Sequence, residues 1–309
     1  MASIFTLSIA QSALELGCIY SLVALALFVS FSILNIADLS TDGCFTLGCA
    51  VCAMVTIAGH PVLALLAAML AGVCSGFVTA FLQTRMGIES ILAGIIVNTG
   101  LYTINIAVMG FSSNVNLFNC KTIFSMAKEA IGGIWYKLLV ALVIVAIIGI
   151  LLALFLNTRL GLSIRATGDN ADMVKASSIN PAFTITVGLC VSNALTGLSG
   201  GVLAQYQKSC DINLGTGMVT IALASLIIGE TLIGKGSVMR RVIGVILGSC
   251  LYRFIVAVAL RLNVPAECLK LVSAIIVAVA IAFPYLKKKV AFFKQKTAAG
   301  SKYGKGGKA

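Results

Sequence analysis

Four carboxylates stand inside or beside apolar stretches of this chain: Glu15, Asp38, Asp42 and Glu230. A carboxylate at membrane depth is costly, so it normally faces a cavity or a partner. Asp38 and Asp42 lie four residues apart with Ser40 between them. They either face a solute cavity or belong to an aqueous loop in which Asp38 and Ser40 cap the next helix. Asn98, Tyr102 and Asn105 follow helical spacing, with Thr99 and Thr103 nearby. They either line a solute path or bond to neighbouring helices. Asn193, Thr196, Gly197, Gly200 and Ala204 form a stripe of small and polar residues that reads mainly as a packing surface. Glu230 reads structurally as the partner of Lys235 or of an arginine in the turn that follows.

Other motifs resemble chemistry without completing it. Gly229-Glu-Thr-Leu-Ile-Gly234-Lys235 is close to a phosphate-binding loop. However, Gly236 takes the place of the magnesium-holding Ser/Thr, and an apolar helix precedes it where a strand should be. The chain is therefore expected to bind no nucleotide itself. Cys49-Ala-Val-Cys52 has no second ligand pair, and His60 is the single histidine. Cys18, Cys49, Cys52, Cys74, Cys190 and Cys250 lie in apolar runs, where cysteine acts as a small hydrophobe. Neither a metal site nor a triad is expected, and the reading is a non-enzyme.

Composition names the solvent these residues sit in. The 309 residues are 60% hydrophobic and 10% charged, with a mean hydropathy of +1.07, against about 25% charged for a soluble domain. Apolar windows of helical length read as nine spans, near 7–33, 43–59, 61–83, 90–110, 136–156, 182–205, 217–233, 242–261 and 268–284. No ten-residue alternation of barrel type occurs, so the expected fold is all-α and polytopic. The N-terminus lacks a basic n-region, so its apolar run reads as the first span and not as a cleaved signal. The first run breaks at Asn35–Gly43, and the seventh is short and bracketed by glycines, as in transport proteins whose interrupted helices meet a solute at membrane depth.

The net charge of +12 could suggest nucleic acid, but eight of the 22 basic residues fall after residue 286. They read as a cytoplasmic tail, 287–309, disordered at its Gly- and Lys-rich end and drawn to anionic lipid. No nucleic-acid face remains once the tail is removed. The remaining part, 1–286, is one transmembrane domain. With the tail inside, the loops holding Arg85, Arg159, Arg165, Lys175, Lys235, Arg240 and Arg241 are cytoplasmic and the N-terminus is outside.

The polar segment 157–181 is long for a membrane connection. It contains Arg165-Ala166-Thr167-Gly168-Asp169-Asn170, then Asp172 and Lys175. Asp169 or Asn170 can cap a short helix running to about Ser177, held outside the bilayer and offered to a partner or to the lipid surface.

At these residues the sequence resembles the permease family of bacterial ATP-binding-cassette (ABC) importers for branched-chain amino acids, ribose and related solutes. Three stretches carry the likeness: Ile36–Gly43; Arg165–Asn170 with Ala176–Asn180; and Ala222–Gly236. Glu230 and Ser178 depart from the family pattern, each standing where glycine is usual. The absence of an extra first helix places the chain nearer the amino-acid members, and it looks like the subgroup linked to uptake of aromatic amino acids such as tyrosine or tryptophan.

The resemblance implies that Arg165, Ala166, Thr167, Gly168, Asp169, Asn170, Asp172 and Lys175 dock a separate cytoplasmic ATPase, which would hold the ATP and magnesium. It places Asp38, Ser40, Asp42, Asn98, Tyr102, Ser225 and Glu230 beside a solute path. It further implies a second permease chain, a homodimer, fed by an extracytoplasmic substrate-binding lipoprotein at the bacterial inner membrane. The competing readings are an ion-coupled carrier using Asp38, Asp42, Glu15 or Glu230, a non-transport membrane scaffold, and the same ABC family with a sugar or nucleoside substrate.

Overall fold

Apolar helices long enough to cross a bilayer account for more than half of the described residues. The computed structural model describes residues 7–261, Ile134 and Lys235 excepted, together with residues 271, 274, 275, 278, 279 and 282. In order these are α1 (Leu7–Leu27), extended by a π-helical turn over Phe28–Ile33, then α2 (Thr41–Ile57), α3 (Pro61–Thr84), α4 (Ser90–Val108) and β1 (Asn114–Asn116). They are followed by α5 (Ile123–Ile131), α6 (Tyr136–Leu156), α7 (Arg159–Asp169), α8 (Ala171–Ala176), α9 (Pro181–Gln207), β2 (Ser209–Asp211), α10 (Met218–Ile233) and α11 (Val238–Arg261).

The first eight expected spans are all helices. Among the described residues, six are long and apolar enough to cross a membrane, and Thr41–Ile57 and Met218–Ile233 are shorter. Most of the expected ninth span and the basic tail lie outside the described residues. The two short helices are the ones the sequence marked as irregular. At 17 and 16 residues they cover about 24–26 Å, less than the ~30 Å of hydrocarbon.

The centre of the molecule is α9, packed against α1, α2 and α3. Lipid tails give helices no hydrophobic reason to associate, so close backbone approach and interhelical hydrogen bonds must do it. The stripe on α9 serves that purpose. A Cβ at Gly197 would overlap the Ala68 carbonyl oxygen of α3, one at Gly200 would overlap that of Phe45 on α2, and one at Gly48 would overlap that of Gly197. The cysteines of α2 add a second seam. The thiols of Cys44, Cys49 and Cys52 donate to the carbonyls of Asn193 (3.4 Å), Gly200 (3.0 Å) and Gly201 (3.3 Å). Three serine hydroxyls, on Ser192, Ser199 and Ser249, donate to α1 carbonyls at 2.8 Å each. By contrast α6 shows lipid an apolar flank that includes Leu142, Ile147, Leu151 and Leu154.

The two ends differ. At one, β1 and β2 pair antiparallel in the register Val115↔Cys210, which brings the α4–α5 and α9–α10 connections together. There α5 opens on a reciprocal Thr122–Ser125 capping box, and Gln205 at the end of α9 accepts from the Ile123 N–H at 2.9 Å. At the other end lie α7 and α8.

Candidate functional site

Two irregular segments meet deep inside the bundle. After α1 the chain turns back through residues 34–40 to start α2. The segment after β2 descends along α2, where the Gly215 N–H donates to Thr46 Oγ1 at 3.1 Å, and then starts α10. The first turns of α2 and α10 are joined by one side chain. Asp42 Oδ2 accepts from the Gly217 N–H and its Oδ1 from the Val219 N–H, both at 2.9 Å. Gly217 is the N-cap of α10, with φ +87° and no side chain to cap with, so the carboxylate of α2 supplies the cap from outside. Along the chain Asp42 stands four residues from Asp38, but its partner Gly217 is 175 residues away, and no local pattern signals that.

Asp38 is buried at 1% exposure and accepts from three donors. Its Oδ1 takes the Ser40 N–H (2.8 Å) and Ser40 Oγ (2.6 Å), and its Oδ2 takes Asn193 Nδ2 (2.8 Å). Thr79 Oγ1 of α3 donates on to Ser40 Oγ at 3.3 Å. Asn193 is about 18 Å along α9 from Pro181 and about 21 Å from Gln207, so this knot sits near mid-depth. Ser40 is the N-cap residue of α2 but its side chain turns to Asp38 instead of capping.

The α4 residues divide. Asn105 is buried and donates to the Gly43 carbonyl at 3.1 Å, and Asn98 is half-buried against Gly43, where a Cβ would strike its Oδ1. Tyr102 is exposed. Ser225 is buried on α10, its hydroxyl returned to the Ile221 carbonyl (2.8 Å) and its own carbonyl so near Gly248 of α11 that a Cβ there would overlap it.

Glu230 pairs with Arg241, one of the two structural partners expected from sequence. Arg241 Nη2 lies 2.7 Å from Oε1 with both side chains under 20% exposed, and the guanidinium rests 4.8 Å from the Phe28 ring centroid. Ser32, which sequence reading did not single out, donates to the same Oε1 at 2.6 Å. Lys235 lies outside the described residues. Glu15 accepts from Gln11 Nε2 (2.9 Å) and Tyr206 OH (2.8 Å).

The segment 157–181 folds as two helices where one was expected. Thr158 caps α7 through the Gly161 N–H at 3.3 Å, a signal visible in the sequence. Asn170 caps α8, its Oδ1 accepting from the N–H groups of Asp172 (3.0 Å) and Met173 (3.1 Å). Ala166, Asp169, Asn170, Asp172 and Lys175 are exposed, as are Leu162 and Met173. Arg165 and Gly168 are half-buried and Thr167 is buried, its hydroxyl 2.7 Å from that of Thr184 on α9. Asp172 and Lys175 form an exposed pair at 3.5 Å that contributes little, ~0.5 kcal/mol at most. Losing the Asn170 cap costs about 1 kcal/mol. Asn170→Ala is therefore expected to speed limited trypsin cleavage at Lys175 about fivefold, since cleavage follows the open population; an unchanged rate would show that the cap does not hold α8.

The amino-acid sequence is similar to those of known proteins. A family model described as "Branched-chain amino acid transport system / permease component" matches residues 9–282. A tyrosine transport system permease protein of Clostridioides difficile (strain R20291) is 37% identical over 267 residues, covering 86% of this chain and 88% of that protein. An uncharacterized protein of Rickettsia prowazekii (strain Madrid E) is 28% identical over 280 residues, 89% of this chain and 97% of that one. The D-allose transport system permease protein of Escherichia coli (strain K12) is 38% identical over 106 residues, about a third of each chain. No solved structure matches the chain significantly. Because the family match runs from the first turn of α1 to beyond the end of α11, this multi-pass chain belongs to the branched-chain amino acid transport system permease family, the membrane component of an ABC transporter.

Proposed function

We propose that this permease imports an aromatic amino acid, tyrosine or tryptophan, across the bacterial inner membrane. The observation that carries the substrate class is the 37% identity, over most of both chains, to a tyrosine transport permease. Family membership implies an ATPase and a substrate-binding protein as partners. In this reading the ATPase docks on α7 and α8, on the surface formed by Ala166, Asp169, Asn170, Asp172 and Lys175, with Arg165 at its edge, and it holds the ATP and magnesium. A second copy of the chain completes the path, a lipoprotein delivers solute from outside, and the C-terminus is cytoplasmic. Leu162 of α7 and Met173 of α8 are exposed beside these polar residues.

The path runs beside the meeting of α2 and α10, with Tyr102 of α4 the most accessible of the residues assigned to it. Asp38, Ser40 and Asp42 shape its wall by fixing the backbone there. The acids needed by an ion-coupled carrier are each engaged in protein hydrogen bonds or an ion pair, which favours ATP-driven transport. A sugar substrate rests only on the shorter match to the allose permease.

The test is uptake of labelled tyrosine, tryptophan, leucine and ribose by cells expressing the permease with its ATPase and binding protein. Arg165→Glu and Asp169→Lys are expected to cut uptake at least about tenfold while the permease stays in the membrane, by placing like charges or unpaired charges in the docked face. Uptake that survives both changes, or continues without the ATPase, would overturn the docking assignment.

A further inference from the structure

The segment 32–42 runs beside α10 and is fastened to both of its ends. At mid-depth Asp42 receives the N–H groups of Gly217 and Val219, both at 2.9 Å. At the other end Ser32 Oγ donates to Glu230 Oε1 (2.6 Å), and Arg241 Nη2, from the first turn of α11, reaches both Glu230 Oε1 (2.7 Å) and Ser32 Oγ (2.6 Å).

This segment is also gripped by α7. A Cβ at Gly168 would overlap the Ile33 carbonyl oxygen and crowd Leu34 Cα, and Leu34 in turn fills the space beside Gly188 of α9. Between grip and fastening the backbone is unusual. The π-helical turn closes with Leu34 N–H to Val29 O (3.0 Å) and Ile36 N–H to Ser30 O (2.9 Å), and Asn35 is left-handed at φ 56°. Such conformations persist only where the surroundings over-determine them, and π-turns concentrate at functional positions. A displacement of α7 that carries Ile33 must also carry Ser32, its chain neighbour.

We infer that Ser32, Glu230 and Arg241 form a clasp that couples α10 to α7 through the 32–42 strap. Glu230 and Arg241 are thus positioning residues for transport: they turn a movement of the docking helix into a movement of the helix beside the path. An ion pair removed from water adds little net stability compared with apolar packing, and its best-attested use is to specify position or switch state. The inference rests on the reading that α7 docks the ATPase and that α10 borders the path.

The complete complex of permease, ATPase and binding protein, reconstituted in proteoliposomes, separates the two. ATP hydrolysis and labelled tyrosine uptake are measured together for wild type, Glu230→Gln, Arg241→Gln and Ser32→Ala. Tyrosine imported per ATP is expected to fall at least about fivefold in each variant while hydrolysis continues. Hydrolysis and uptake falling in parallel, or an unchanged ratio, overturns the clasp. Wild type without ATP-dependent uptake instead overturns the functional reading beneath it. If a charge variant fails to assemble, Ser32→Ala removes a single hydroxyl and carries the same comparison.

Discussion

Gly197→Leu is expected to abolish accumulation of folded protein in the membrane. At Gly197 the α9 backbone meets two helices at once: a Cβ would overlap the Ala68 carbonyl oxygen, while the Gly197 carbonyl oxygen itself occupies the space a Cβ at Gly48 would need. Overpacking a core costs ~1–3 kcal/mol where side chains can yield. Here the overlapped atoms are backbone of helix α3, with α2 already in contact through Gly48, so relief requires parting whole helices. That would also lengthen the nearby thiol bonds from Cys49 and Cys52 to Gly200 and Gly201. Within a bilayer nothing compensates, because separated helices gain only lipid contacts. Gly100 of α4 supplies the control, since a Cβ there meets nothing within 4 Å. Gly100→Leu should leave expression and thermal stability in detergent close to wild type. A monodisperse Gly197→Leu protein with wild-type stability would falsify this account of the α2–α3–α9 contact.

Asp42→Ala is expected to lower thermal stability and cut transport more than any other single-acid change at the mid-depth site. The substitution leaves the N–H groups of Gly217 and Val219 without their acceptors. An unsatisfied donor costs ~1–3 kcal/mol when fully buried; these two are part-buried, so together they lose about 2–4 kcal/mol. Gly217 can offer no side-chain cap in return, and Met218 and Val219 carry no hydroxyl or carboxylate that could substitute. Asp42→Asn keeps one acceptor oxygen and loses the interaction of a full charge with the helix dipole, about 0.3–2 kcal/mol. The expected order of stability and of tyrosine uptake is therefore wild type, then Asn, then Ala. Equal behaviour of Asn and Ala would show that charge matters and capping does not; equal behaviour of Ala and wild type would show that α10 is held from elsewhere.

Both predictions turn on residues whose types were visible in the chain but whose partners were not. The small-residue stripe on α9 was legible as a packing surface because helical periodicity places Asn193, Thr196, Gly197, Gly200 and Ala204 near one another before any partner is known. The carbonyls that meet them, from Ala68 and Phe45, depend on how three helices cross. The cap of α8 by Asn170 was legible because its donors are two and three residues away. That of α10 was not, because its acceptor comes from α2.

What the sequence determined by itself was the solvent, the helices and the family. Runs of apolar residues of bilayer length follow from a local energetic requirement, that every backbone polar group in lipid be satisfied within its own segment. The break that precedes α2 and the short span that became α10 announced themselves by the same rule, through polar and glycine-rich interruptions. What only tertiary structure decided was the function of each polar residue at depth. Asp38 ties α9 to the break, Asp42 caps α10, and Glu230 joins Ser32 and Arg241. A buried charge must find a partner somewhere, but composition and spacing do not say where, because long-range pairings are set by helix crossings that bring residues 150 to 200 positions apart into hydrogen-bond distance.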